Sequence, residues 1–447
     1  MNFSQYIPFY RRNLHLALPV VFSQIGQVTV SLADNAMVGH VGTTELAAAS
    51  FANSVFMIGM YFGMGITYGL TPLVGKEYGN GRLGEVIKWL KNGIFTHSFS
   101  AVFLTLIMFA TYFLLPYMGQ EAAVLEMSKP YYLILCASYF PFMLFFSFKQ
   151  FFEGIGNTKI AMQITLISNV INIGVNYLFI FGKLGFPQLG LIGAGIGTLV
   201  SRIAMPILFA IYVGKLPRFR RFFVLAHKQV FERQRIIDLI RIGIPIAFQM
   251  IVEVISFALG AIMIGWLGEI SLAAHQIALG LSSFTYMIAL GISQANTIRV
   301  SHQMGQGDYK SMRMAVYAST HLVLVFMGVM GVLFVVGRYF LPLAFTADQE
   351  VIQLAGAMLI VAAIFQLFDG LQVIMLSTLR GMADVKTPMY IAVIAFLFVG
   401  IPTGYVMTFV FELGARGVWY GYLVGLGLAG VLFYHRFRRN LQQLGQA

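Results

Sequence analysis

IRIGIPIAFQMIVEVISFALGAIMIGWLG, residues 240–268, decides the fold class. Between Arg241 and Glu269 its one formal charge is Glu253, near the middle of roughly 25 otherwise uncharged and mostly apolar residues. About 20 apolar residues, rising 1.5 Å each, cross the hydrocarbon of a bilayer as a single helix. A carboxylate at the midpoint of such a helix costs on the order of 3 kcal/mol on insertion scales. A residue kept at that cost is a candidate functional group; the alternative is a Glu that is neutral or hydrogen-bonded between helices.

The rest of the chain reads the same way. Of its 447 residues, 58% are hydrophobic and 10% charged, with a mean hydropathy of +0.80. Average globular domains carry about 25% charged residues, so a soluble multidomain protein is excluded. The net charge of +12 would suggest nucleic acid in a soluble protein. Here it reflects Lys and Arg retained on one face of a membrane, and no nucleic-acid partner is expected. The single cysteine, Cys136, cannot form an intrachain disulfide. Arg11 and Arg12 stand directly before the first span, with no A-x-A-like cleavage site near its end. They read as a positive-inside anchor rather than an export signal.

Twelve spans are expected, at 16–39, 53–75, 92–115, 130–148, 160–181, 193–213, 242–265, 277–298, 314–337, 351–376, 390–410 and 418–435. With a cytoplasmic N-terminus, 24 of the 29 Lys and Arg fall on inner connections or the termini. Lys129, Lys183, Arg338 and Arg416 fall outside, and Arg202 alone lies inside a span. That bias places both termini in the cytoplasm. The longest polar stretch, KLPRFRRFFVLAHKQVFERQRIID at 215–238, divides the chain into lobes 1–214 and 239–447. Its interleaved Arg and Phe suggest either an amphipathic segment on the inner membrane surface or a solvated linker near anionic lipid.

The lobes are related. Pro19 and Pro245 are 226 apart, as are Gly39 and Gly265, Gly42 and Gly268, Leu46 and Leu272, and Ala48 and Ala274. Gly79-Asn80-Gly81 meets Gly305-Gln306-Gly307 at the same offset, and Gly154 meets Gly381 at 227. Two six-span repeats of the same topology imply a parallel repeat about the membrane normal, with sites near midplane.

Four spans carry polar residues at helical spacing: Gln24, Gln27, Ser31 and Asp34; Asn169, Asn172 and Asn176; Gln249, Glu253 and Ser256; Gln366, Asp369 and Gln372. Each set occupies one helix face, which must turn away from lipid. Asn and Gln alone are more often interhelical glue than ligands, but a carboxylate in three of the four stripes points to a pathway. Asp34, Glu253 and Asp369 are the only acids deep in spans, and no buried Lys or Arg is an obvious partner. Unpaired carboxylates there either take up protons or hold a cation. Gln27, Asn172, Asn176, Gln249, His275, Gln276 and Gln366 are the candidate cavity-lining residues. GLGLAG at 425–430 fits GxGxxG but lies in a span without a βαβ unit, so it reads as a close-packing surface. The sequence contains no GxxxxGK[ST], no HExxH and no Cys/His cluster, so neither ATP hydrolysis nor metal catalysis is supported.

DNAMVG at 34–39, LAAHQIALGLSSFTYMIALGISQANTIR at 272–299, EGIGNTK at 153–159 and LRGMADVKTPM at 379–389 resemble the multidrug and toxic compound extrusion (MATE) family. The resemblance covers essentially the whole chain. It implies an all-α, twelve-helix antiporter of the bacterial inner membrane, monomeric and without a cofactor. Such proteins alternate between inward- and outward-open states and expel small cationic, amphipathic compounds in exchange for Na⁺ or H⁺. The NorM-like branch has acids in helices one, seven and ten, which match Asp34, Glu253 and Asp369; Glu253 and Asp369 would be the pair to hold Na⁺. The DinF-like branch is marked by an Asp in the fifth helix, where this chain has Asn176. That departure favours coupling in the carboxy-terminal lobe. The alternative is a flippase or exporter of a lipid-linked saccharide, whose cavity would carry basic groups for phosphate.

Overall fold

In the computed structural model, which describes residues 3–445, twelve helices are long and apolar enough to span a membrane. They are α1 (Ser4–Gly39), α2 (Thr43–Gly79), α3 (Leu83–Met118), α4 (Ala122–Gly154), α5 (Thr158–Phe181) and α6 (Leu191–Lys215), then α7 (Arg233–Gly265), α8 (Glu269–Gln306), α9 (Tyr309–Val336), α10 (Gln349–Gly381), α11 (Lys386–Val410) and α12 (Ala415–Gly445). No strand occurs among the described residues. Starts are marked by side-chain caps: Asp308 accepts from Ser311 N at 2.9 Å, and Asp348 from Glu350 N at 2.9 Å. Ends are marked by glycine in the left-handed region, as at Gly182 (φ 64°) and Gly307 (φ 69°). Twelve spans are what the hydropathy predicts, but several helices run on past the expected ends. The longest, α8, has 38 residues, and α10 continues to Gly381 rather than stopping at 376. The extra turns are polar, so hydropathy does not register them.

The helices pack as two compact units. One joins the described residues up to Val21 with those from Phe248 onward; the other is Phe22–Ala247. These boundaries lie 226 residues apart, the repeat offset itself. The division therefore departs from a cut at the basic linker, because the first part of α1 packs with the second repeat and the first part of α7 with the first. In the first unit Asn13 donates to Ala315 O at 3.0 Å and Ser319 Oγ at 2.8 Å, and Tyr10 OH bonds His321 Nδ1 at 2.9 Å. In the second, Gly243 lies on the backbone of Ile66 and Gly65 on that of Ala247, where any Cβ would come within 3 Å. Buried Trp419, Phe334, Phe433 and Phe437 anchor the core of the first unit, and Tyr132, Tyr139, Phe145 and Phe146 that of the second.

The linker forms a helix at Pro217–His227. Its aromatic residues pack on α4: Phe219 on Phe152 (ring centroids 5.2 Å), Phe222 on Phe151 (6.0 Å) and Phe223 on Phe148 (5.7 Å). Lys91 of α3 holds the helix end by donating to the carbonyls of His227, at 3.2 Å, and Gln229. Cations at helix C-termini are favoured by the macrodipole. Glu232 then pairs with Arg235 at 2.7 Å and with Lys88 at 3.3 Å.

Candidate functional site

In the Phe22–Ala247 unit the stripes of α1 and α5 meet. Asn176 Nδ2 donates to Asp34 Oδ1 at 2.6 Å and to Asn172 Oδ1 at 3.1 Å; Asn172 in turn reaches Ser201 Oγ of α6 at 3.5 Å. Asn172 and Asn176 are buried, Asp34 and Gln27 half-buried. A short bond from an amide to a carboxylate fixes that carboxylate and satisfies part of its acceptor capacity. Beside Ser201, the Arg202 guanidinium donates to Ser138 Oγ at 2.8 Å and lies 4.9 and 4.8 Å from the ring centroids of Phe56 and Phe142. Its positive charge acts on Asp34.

In the other unit the stripes of α7 and α10 come together. Gln249 Nε2 donates to Glu253 Oε2 at 3.2 Å, while Arg380 Nη2 donates to the amide oxygen of the same Gln249. Arg380 is thus joined to Glu253 through one buried amide, and its charge acts on that carboxyl. Asp369, 6% exposed, feels the negative charge of Glu253. Gln366 accepts from Thr285 of α8 at 2.7 Å. Gln372 is buried with neither end of its amide bonded among the described residues. His275 is fully buried, edge-on to Trp419 at 5.8 Å, while Gln276 beside it is exposed.

Asp34 and Glu253 therefore have hydrogen-bond partners, and Arg202 is not the only cation within a helix. Lys149, Arg299 and Arg380 lie in α4, α8 and α10, beyond the apolar windows that bounded the expected spans. Arg380 is the neighbour of Gln249 that hydropathy misses. At the 227 offset its counterpart is Glu153, which precedes Gly154 as Arg380 precedes Gly381.

A cavity of about 10 Å³, enough for one water molecule, lies beside Glu253 and is lined also by Ser256, Phe396, Gly400, Gly421 and Tyr422. Its wall on α11 is wound as π-helix over Val393–Gly400, a local geometry common at functional sites. The α12 glycines bring the two helices together: a Cβ at Gly425 would lie 3.0 Å from Ala395 O. That is the close-packing role read from GLGLAG.

Twelve spanning helices in two related units, carrying acid- and amide-bearing stripes, together with the family match that follows, define a multi-pass membrane transporter and not an enzyme. The MatE family model matches residues 19–178 and 245–406, two stretches that begin at the 226-residue offset, and the chain belongs to that family, the multidrug and toxic compound extrusion transporters. Its relatives place it with the NorM-like branch. It is 32% identical to the probable multidrug resistance protein NorM of Pasteurella multocida over 98% of this chain and 96% of that one. It is 30% identical to the probable multidrug resistance protein NorM of Rhizobium meliloti over 98% and 95%. The fold matches the Vibrio cholerae MATE transporter VcmN with a TM-score of 0.89 over 98% of each chain, at 19% identity.

Proposed function

We propose that this protein is a secondary active multidrug exporter, moving cationic amphipathic compounds outward in exchange for Na⁺ or H⁺ by alternating access. The feature that carries the reading is the pair Glu253 and Asp369, on the polar stripes of α7 and α10 in one unit, where two ionised carboxyl groups in apolar helices would repel. Uptake of one cation relieves that repulsion, and in a low dielectric the relief is worth far more than in water. Coupling ion and cationic substrate then compete for one negative site. Asp34, fixed by Asn176, supplies a third carboxyl. Gln27, Asn172, Asn176, Gln249, Gln276 and Gln366 offer amides along the pathway, whereas His275 is better placed to steady Trp419 than to meet substrate. The names of the relatives, multidrug resistance proteins, support the substrate class. The Lys and Arg distribution supports a cytoplasmic-membrane protein with both termini inside, and the family resemblance is what suggests a monomer without a cofactor.

The test is export of an ethidium-like cation from proteoliposomes under an imposed Na⁺ gradient and, separately, a proton gradient, with wild type beside Asp369→Asn. Movement driven by one gradient and lost in the variant names the ion. Transport indifferent to both gradients would retire antiport in favour of a flippase for a lipid-linked saccharide.

A further inference from the structure

Arg380 has no place in the scheme above, yet it is bonded to the amide that holds Glu253. Gln249, 2% exposed, has its two ends committed in opposite directions: its oxygen accepts from Arg380 Nη2 and its nitrogen donates to Glu253 Oε2 at 3.2 Å. An amide can do this in only one orientation, so the guanidinium fixes which end of Gln249 faces the carboxylate. The arrangement also places a permanent positive charge within electrostatic reach of Glu253 but not in direct competition for every oxygen of that group. Asp369 receives no such compensation from Arg380; the charge that acts on it is that of Glu253.

We propose that Arg380 is a tethered cation that balances Glu253 while the coupling ion is absent, and so sets how tightly the Glu253–Asp369 pair holds that ion. This rests on the antiport reading. An incoming cation meets a site already partly neutralised, so it is attracted by the two carboxylates less the guanidinium rather than by the two carboxylates alone. Binding is weaker than the acids alone would give, and release is faster. Arg380 is a positioning residue, acting through Gln249 and through its field. An arginine suits the task because it keeps its proton in any environment and cannot be neutralised by the transport cycle.

Two measurements test this. The first does not involve transport: melting temperatures of wild type, Glu253→Gln, Arg380→Met and the double variant in detergent, in choline buffer without Na⁺. Arg380→Met leaves Glu253 without its counterpart beside Asp369 and should melt lower than wild type, and adding Glu253→Gln to it should recover most of that loss, whereas Arg380→Met in the Glu253→Gln background should cost little. Additive losses would overturn the link. The second is proteoliposome export as a function of the driving cation. Arg380→Met should lower the half-saturating concentration about tenfold and also lower the maximal rate, because a tighter site releases its ion slowly. Arg380→Lys, which keeps the charge, should retain most of the wild-type value. An unchanged or raised half-saturating concentration in Arg380→Met would overturn the proposal. Wild-type transport that ignores both gradients would defeat antiport itself, and the melting cycle would still decide whether Arg380 and Glu253 are coupled.

Discussion

Replacing Gly421 by alanine should loosen the wall of the cavity beside Glu253. A Cβ at that position would sit 2.5 Å from Gly400 O and Gly404 Cα and 2.6 Å from Gly404 N, all backbone atoms of α11. Carbon contacts are comfortable at about 3.5–4.0 Å, so the two helices would have to part by about 1 Å. No flexible side chain is available to give way. Overpacking of this kind costs 1–3 kcal/mol, and rigid backbone on all sides puts this site near 3. Alanine regains about 1 kcal/mol of helix propensity, leaving a net loss of about 2 kcal/mol. For a unit of about 200 residues, that lowers Tm by roughly 4–8 °C. Gly280→Ala, on α8 where a Cβ meets nothing within 4 Å, is the control. It should leave Tm unchanged or raise it. Thermal unfolding in detergent of the two variants beside wild type is the assay. Gly421→Ala melting as high as Gly280→Ala would refute the packing argument.

Removing the amide from Asn176 with Asn176→Leu strips Asp34 of its 2.6 Å donor; a hydrogen bond to a charged group is worth about 1.5–3 kcal/mol, so gradient-driven export should fall roughly tenfold or more. Lys91→Met should leave Tm nearly unchanged but speed proteolytic cleavage at residues 227–232, since the carbonyls of His227 and Gln229 lose their cation. Glu232, outside the spans, has its carboxyl held below the usual 4.5, first by the hydrogen bond from Arg235 and then by Lys88. A depressed carboxylate stabilises the fold above the unfolded value and loses that effect as pH falls through the folded one. The Tm difference between wild type and Glu232→Gln should therefore be full at pH 7, shrink as pH falls below the usual 4.5 and vanish once the folded carboxyl is protonated; the pair is largely solvent-exposed, so the full difference is about 1 °C.

Residue type alone made much of this architecture legible. Span number, repeat offset and the inward stripes follow from hydropathy and helical spacing, because a bilayer leaves the backbone few alternatives. Asn172 and Asn176 were readable as one face, and the structure adds only that Asp34 lies on it. Arg380 was not readable, because it lies in a polar extension of α10 where apolar windows end and nothing local distinguishes an anchoring arginine from an inward one. The docked linker escaped for a different reason. Phe219, Phe222 and Phe223 suit lipid and protein equally, and only the row Phe148, Phe151 and Phe152 on α4 decides between them. The exchange of the first parts of α1 and α7 is also invisible to a reading by lobes, although Pro19 and Pro245 stand just before both crossing points.

The repeat duplicates the scaffold but not the charges. At the 226 offset Glu253 answers to Gln27 and Asp34 to Gly260; at 227, Asp369 answers to Phe142 and Arg202 to Ala429. None of the three acids has an acidic counterpart, although the glycine pairs that shape the helices keep theirs. Duplication therefore accounts for the packing, and the chemistry was written onto each unit separately. The arginines follow the same rule. Arg202 reaches the Asp34 region from α6, held against the ring of Phe142, which occupies the place of Asp369. Arg380 reaches Glu253 from α10, at the place of Glu153, which lies 3.9 Å from Lys149. Each unit has thus placed one arginine near one acid by a different route, and Asp369 is the acid left over.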